Sequence, residues 1–313
     1  LGVRAPWFKR NLHNFCFTTS ASGFVDCFGR GNTASNTDYA ALNAGYAPPQ
    51  FRQYTYNRVL PNLGVTYKFG GGFTAYANYS KGLQVPGTDN LYQAFFYPLS
   101  NPASHPAPET TDNFDAGVRY TTSKIQATLS PWYTRFTNRL AGAYDFTTDQ
   151  TIYRNLGRVD KYGIDGSFAY RPIREVLVYA WGSYLKSEIK NNVEIGKCVF
   201  STGPTPVQLT NNCPTAGAPI YAMTAGKRES GSPVYTYGLR LQGDLGPLSL
   251  ALQGKVTGPR YLNDQNLPNL QCTAALVNQV CPTAANTTAT FNGTRGFVYQ
   301  VYPSKTPAYG TVD

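Results

Sequence analysis

Six cysteines stand in the chain as three close pairs: Cys16 with Cys27, Cys198 with Cys213, and Cys272 with Cys281. Thiols a short stretch apart can close a local disulfide or help to bind a metal ion. Metal sites favour tight spacings, but the chain has no C-x-x-C, and only His13 and His105 could complete a site. The spacing therefore predicts the disulfides Cys16–Cys27, Cys198–Cys213 and Cys272–Cys281, and no metal. Such bonds persist in an oxidising place, the periplasm or a cell surface.

Two further sets of side chains could act on a ligand. Tyr92, Phe95, Phe96 and Tyr97 crowd one stretch with His105 just beyond, and Tyr144, Phe146 and Tyr153 crowd another. Aromatic walls stack on aryl groups or sugars and attract cations through their π faces; packing within a loop is the competing use. Lys and Arg exceed Asp and Glu, 27 to 17, for a net charge of +10. Lys68, Arg119, Arg240 and Lys255 belong to alternating polar positions, where positive charge would concentrate anionic solutes. These cations are spread along the chain rather than clustered, which argues against nucleic acid as a partner.

Catalytic chemistry finds little purchase. There are two histidines, and neither G-x-S-x-G nor G-x-x-x-x-G-K-[ST] occurs. Gly29-Arg30-Gly31-Asn32-Thr33-Ala34 echoes a dinucleotide fingerprint but follows no strand pattern. The expectation is no enzyme and no cofactor.

The elements that must position these residues are strands. From Leu60 to Gly82, Leu63, Val65, Tyr67 and Phe69 alternate with Gly64, Thr66 and Lys68. Gly70-Gly71-Gly72 then turns the chain, and Phe73, Ala75, Ala77 and Tyr79 alternate with Thr74, Tyr76, Asn78 and Ser80. The same period continues through Phe114–Thr121, Ile125–Tyr133, Gly163–Arg171, Val176–Lys186, Tyr235–Gln242 and Leu248–Val256, with Pro131 marking a bulge or a break. Tight turns at 70–72, 122–123, 171–174 and 244–247 alternate with longer loops at 11–53, 83–111, 145–150, 190–232 and 263–304. The cysteine pairs fall in three of these loops, with none on a strand.

A chain with 14% aromatic residues, 30 Gly and 22 Pro suits many strands and turns. No apolar run approaches the ~20 residues of a membrane helix, but a membrane β-strand needs only ~9–11. A soluble sandwich or propeller stays open on the pattern alone, although no blade repeat is found. Short connections on one edge and long ones on the other favour an outer-membrane barrel. In that setting Trp7, Trp132 and Trp181 fit an interfacial girdle.

At this point the residues resemble a family. LPNLGVTYKF and GGFTAYANYSKGLQVPGTDNLY (60–92) are similar to a barrel hairpin of TonB-dependent outer-membrane receptors. Pro108-Glu109-Thr110-Thr111 before FDAGVRY resembles the family's "PET" entry to a strand. Asn155-Leu156-Gly157 with Tyr162-Gly163-Ile164-Asp165, Gly258-Pro259-Arg260-Tyr261, and Pro307 to Asp313 follow in the family's order.

The resemblance implies a partial transmembrane antiparallel β-barrel over 1–313, about ten strands of a barrel of about 22. Turns would be periplasmic and long loops extracellular, with the plug domain and the final barrel hairpin lying outside the chain. It implies energised uptake, across the outer membrane of a Gram-negative bacterium, of a large scarce solute, foremost a ferric siderophore-type chelate. The partners implied are outer-membrane lipid and lipopolysaccharide, and the TonB energy-coupling protein acting through the missing N-terminal part. A passive pore or a surface-exposed adhesin are the alternatives. Tyr92, Phe95, Phe96, Tyr97, His105, Tyr144, Arg119, Arg240 and Lys255 are the ligand candidates.

Overall fold

The structure is a computed structural model that describes residues 1–14, 17–18, 25–26, 50–94, 99–100, 104–145, 150–197, 215, 218–272, 289–291, 294–296 and 298–313. Among them ten strands form one sheet. These are β1 (Gly2–Arg4), β2 (Leu60–Gly70), β3 (Phe73–Gln84), β4 (Glu109–Thr121), β5 (Ile125–Thr137), β6 (Val159–Tyr170), β7 (Val176–Ile189), β8 (Tyr235–Leu245), β9 (Leu248–Thr257) and β10 (Tyr309–Val312). Every strand pairs antiparallel with its neighbours in sequence, so order across the sheet is chain order.

Such a meander sorts its connections by edge. One edge carries the tight turns: Gly70, Gly71 and Gly72 take φ of 87°, 59° and 88°, and Gly246 takes 64°, conformations that glycine reaches without a Cβ penalty. Between β4 and β5, Thr122 N donates to Ile125 O at 2.8 Å, and the Thr122 hydroxyl accepts from Ile125 N at 3.0 Å. The opposite edge carries connections 5–59, 85–108, 138–158, 190–234 and 258–308. This is the expected asymmetry, and the other sheets among the described residues are two-stranded pairs within the long connections.

Pleating separates two faces. Leu63, Val65, Tyr67 and Phe69 are 55–64% exposed, because no protein layer covers the apolar face. On that face Tyr79, Phe114, Tyr133 and Tyr162 oppose one another directly across β3 to β6, and Tyr184 and Tyr235 continue the row. Phe69, Phe73, Tyr120 and Tyr170 make a second row near the turns, with the Phe73 and Tyr120 rings 4.5 Å apart. From Tyr162 to Tyr170 is about 27 Å of strand, or about 20 Å of height at a tilt of ~40°. Two aromatic rows bounding an apolar band are what a bilayer selects.

The other face carries Thr66, Lys68, Thr74, Asp115, Arg119, Thr128 and Asp165, in step with their partners. It also carries two tryptophans expected in the girdle. Trp132 opposes Gly163, and Trp181 opposes Gly238. Strand parity puts both on the polar face, and the facing glycine leaves room for each indole to lie across the next strand. Tyr76 lies over Gly117 in the same way. Trp7 begins a loop hairpin instead and is exposed.

Pro131 breaks a ladder without shifting it. Asp115 pairs with Trp132 and Val118 with Leu129, in one register, while the pairs between them drop out. The ladder to β6 on the other side, Pro131 opposite Ile164, is continuous. A missing N–H explains the gap.

The long connections hold more regular structure than their polar sequences suggest. Trp7–Asn14 pairs with Gln50–Asn57, Leu140–Asp145 with Gln150–Asn155, and Val193–Lys197 with Pro219–Ala222. Cys272 ends a short strand, Asn269–Cys272, paired with Val298–Tyr302, rather than lying in irregular loop. Cys16, Cys27, Cys198, Cys213 and Cys281 lie outside the described residues.

A Cβ on Gly238 would come within 2.3 Å of Trp181 and 2.7 Å of the Gly254 carbonyl, whereas one on Gly243 meets nothing within 4 Å. Gly238→Ala should cost about 1–3 kcal/mol by overpacking and Gly243→Ala much less. Urea unfolding of the lipid-reconstituted barrel measures both, and equal midpoints for the two variants would refute the aromatic-over-glycine packing.

Candidate functional site

The long-loop edge is tied together where the loops leave the sheet. Glu109, at the mouth of β4, is 2% exposed, and Glu229, in connection 190–234, is 5% exposed. Arg139 reaches both: its Nη1 donates to Glu109 Oε1 at 3.0 Å and its Nε to Glu229 Oε1 at 2.9 Å. Leu140 N also donates to Glu109 at 3.0 Å, and the Lys161 ammonium pairs with the second oxygen of Glu229. The Phe136 ring lies under both cations, 4.6 Å from Arg139 and 5.1 Å from Lys161. Burial opposes the Arg139 charge, but Glu229 and then Glu109 outweigh it and hold the guanidinium above its ordinary range.

Neighbouring bonds extend this collar. Asn155 Oδ1 accepts from Gly157 N at 2.7 Å, and Gly157 takes a φ of 69° where a Cβ would strike Asn191. Asn191 Oδ1 accepts from Arg158 N at 3.0 Å. Ser230 N donates to Asp264 at 2.7 Å and Arg228 N to Asn266 at 2.9 Å, joining connection 190–234 to 258–308. Leu156, Val159, Ile189 and Val193 form a small apolar core beside these bonds, with Phe136 packed against it.

A second assembly stands above β1 to β4. The hairpin Trp7–Asn14/Gln50–Asn57 packs on helix α1 (Thr88–Gln93) through Leu12, Tyr54, Tyr56, Leu91 and Ala94. Arg52, almost buried, donates to Ala94 O at 2.8 Å, and the Tyr56 hydroxyl donates to Pro106 O at 3.1 Å. Burial pushes Tyr56 up to about 12, with Tyr54 adding to the shift, so its hydroxyl stays a donor at neutral pH.

The sequence-selected residues divide among these places. Tyr92 packs against the helix–hairpin core, and its hydroxyl donates to His13 O at 3.3 Å. His105 meets the Tyr54 ring edge-on at 5.3 Å. The backbone of Tyr144 lies in the hairpin of connection 138–158, opposite Thr151. Phe95, Phe96 and Tyr97 lie outside the described residues. On the polar face Arg240 opposes Gln253, which puts Lys255 diagonally next to it on β9. Arg119 stands apart on β4, 5.9 Å over the Tyr76 ring.

Sequence reading gave no site role to Glu109, Arg139, Lys161 and Glu229, and it put Trp132 and Trp181 in the girdle rather than on the polar face with Tyr76 and Tyr179. The Tyr179 and Trp181 rings stack at 5.5 Å. Strand parity was the available signal for these aromatics. No group of metal-ligating side chains occurs among the described residues.

An uncovered apolar band between aromatic rows, with a polar inner face and elaborated loops at one edge, defines the wall of an outer-membrane-type β-barrel. Residues 1–313 match the family model described as TonB dependent receptor-like, beta-barrel. The chain belongs to the TonB-dependent receptor family, within its β-barrel. Members are outer-membrane barrels of Gram-negative bacteria, and they are transporters rather than enzymes.

Three solved structures resemble it. The copper transporter OprC is 11% identical, with 98% of this chain and 36% of that one covered, at a TM-score of 0.55. The siderophore receptor PiuA from Acinetobacter baumannii is 14% identical, with 85% and 30% covered, at 0.53. The ferric citrate transporter FecA in its unliganded form is 15% identical, with 84% and 31% covered, at 0.51. The chain spans about a third of the length of these structures, and at such identities the likeness concerns the fold.

Removing Arg139 would take from buried Glu109 the cation it pairs with and leave buried Glu229 with Lys161 alone. Arg139→Met should cost about 3–5 kcal/mol of stability and expose connections 138–158 and 190–234 to protease. Limited proteolysis beside urea unfolding checks this, and an unchanged nicking pattern would sink the collar's role.

Proposed function

We propose that the chain forms part of an outer-membrane receptor that takes up a large, scarce solute by an energised mechanism, with a ferric siderophore-type chelate first among cargoes. The observation that carries this reading is the collar. Five long connections leave one edge of the sheet, and buried charge and side-chain hydrogen bonds join those at 138–158, 190–234 and 258–308 to one another and to the mouth of β4. A receptor needs its outer loops held in a defined arrangement, because ordering them at the moment of binding weakens affinity. Below them, Arg240 and Lys255 lie side by side on the polar face and favour an anionic cargo. Tyr92, Phe95, Phe96, Tyr97, His105 and Tyr144 are the proposed loop contacts, and Arg119 a further lumen contact.

The whole receptor would draw on the TonB energy-coupling protein and sit in outer-membrane lipid and lipopolysaccharide. Uptake of labelled ferric chelates by a deletion strain carrying the complete receptor tests this. Uptake should stop when the proton gradient collapses, and continued uptake would leave a passive pore. The variant Arg240→Gln/Lys255→Gln should lower uptake of an anionic chelate by about tenfold. Binding of host protein without solute uptake would favour an adhesin.

The cysteine pairs belong to the same proposal. Bonds Cys16–Cys27, Cys198–Cys213 and Cys272–Cys281 would each stiffen an outer loop by about 2–3 kcal/mol in the chain-entropy model. Non-reducing peptide mapping of surface-exported receptor should recover these three pairings. Six free thiols would reject them.

A further inference from the structure

On the apolar face, one rung beyond the aromatic row toward the long loops, stands a row of charges. Lys81, Asp112, Arg135, Asp160 and Glu188 oppose one another directly across β3 to β7. At the β3–β4 end the charges cancel, with Lys81 3.5 Å from Asp112. At the β5–β7 end they do not. Arg158 occupies both oxygens of Asp160, at 2.9 and 2.7 Å, while Arg135 and Lys190 approach the same carboxylate only to 3.8 and 3.9 Å. Lys190 holds Glu188 at 2.6 Å. Lys186 stands one rung lower, 5.7 Å over the Tyr162 ring. Arg135, Arg158, Lys186 and Lys190 thus outnumber Asp160 and Glu188. The Arg135 and Arg158 side chains are 44% exposed, whereas the Asp160 side chain is 9% exposed. The excess charge points outward and has donors to spare.

Directly below runs a trough in the apolar face. Gly166 on β6 and Gly182 on β7 oppose one another, so no side chain fills the space between Leu129, Ile164, Tyr184 and Tyr237. A cationic patch at the headgroup level with an apolar trough beneath it matches a molecule that is anionic at one end and acylated at the other.

We propose that this patch binds the phosphorylated acyl-glycolipid anchor of lipopolysaccharide, its phosphate held by Arg135, Arg158, Lys186 and Lys190 and an acyl chain seated over Gly166 and Gly182. A soluble anion would leave the trough unused, and an inner-leaflet phospholipid would meet the turn edge, not the long-loop edge. The inference rests on the outer-membrane reading, but fails separately from it: a receptor that fractionates with the outer membrane and transports solute can still lack this lipid site.

The experiment is native mass spectrometry of the complete receptor in detergent. It is titrated with the bisphosphorylated glycolipid, with the same lipid stripped of phosphate, and with inorganic phosphate. Arg135→Gln/Lys186→Gln leaves Arg158 on Asp160 and Lys190 on Glu188, so the local carboxylates stay paired. It should weaken binding of the phosphorylated lipid about thirtyfold. Gly182→Leu should also weaken it, since a Cβ there has only van der Waals neighbours, the nearest at 3.7 Å. Lys124→Gln/Arg174→Gln, at the turn edge, should not. The proposal is overturned if Arg135→Gln/Lys186→Gln binds as tightly as wild type, if the dephosphorylated lipid binds equally well, or if inorganic phosphate alone displaces the lipid. If Arg135→Gln/Lys186→Gln does not fold, the comparison of the two lipids on the wild-type receptor decides.

Discussion

A backbone amide inside hydrocarbon has no water to fall back on, so each N–H and C=O in the apolar band must find a partner on an adjacent strand. Most of this structure follows from that requirement. It asks for long ladders in step, and β6 meets both neighbours without a shift from Val159 to Tyr170. Once the ladders are in step, pleating assigns every residue to lipid or lumen, and the antiparallel order assigns every connection to one edge. Pro131 tests the rule from the other side, since its missing donor opens a gap toward β4 while the register holds.

Beyond the band the solvent changes and so does the means of cohesion. The connections are too polar to pack as a conventional core, and their apolar clusters are small. They are held by specific polar groups instead. Glu109, Arg139, Glu229 and Lys161 would be costly to bury singly, yet as a set they neutralise one another and join three segments distant in sequence. In the helix–hairpin assembly the Tyr56 and Tyr92 hydroxyls donate to the carbonyls of Pro106 and His13.

The sheet was legible because alternation in Leu63–Phe69 or Tyr235–Leu241 is a local property of consecutive residues. The glycine turn at 70–72 was legible because only one residue type tolerates that backbone. Family-like motifs also have local reasons: Asn155 caps the nitrogen of left-handed Gly157, and Glu109 of the "PET" segment is the buried acceptor for Arg139. What that glutamate meets was not legible, since the pairing of Arg139 with Glu229 spans ninety residues. The satellite strands escaped notice because they are short and lie inside polar connections, where an alternation as brief as Tyr54 and Tyr56 is easily passed over. The tryptophans were misassigned by residue type, when the parity that put Tyr133 outward already put Trp132 inward.

The glycines beneath Tyr76, Trp132 and Trp181 also set how far these rings rise from the inner wall. A large ring standing upright on an inner wall would narrow the bore, and several at different heights would leave it ragged. Laid across a residue without a side chain, each ring takes up lateral space along the wall in place of depth into it. The inner surface between β3 and β8 is then rich in stacking area and low in relief.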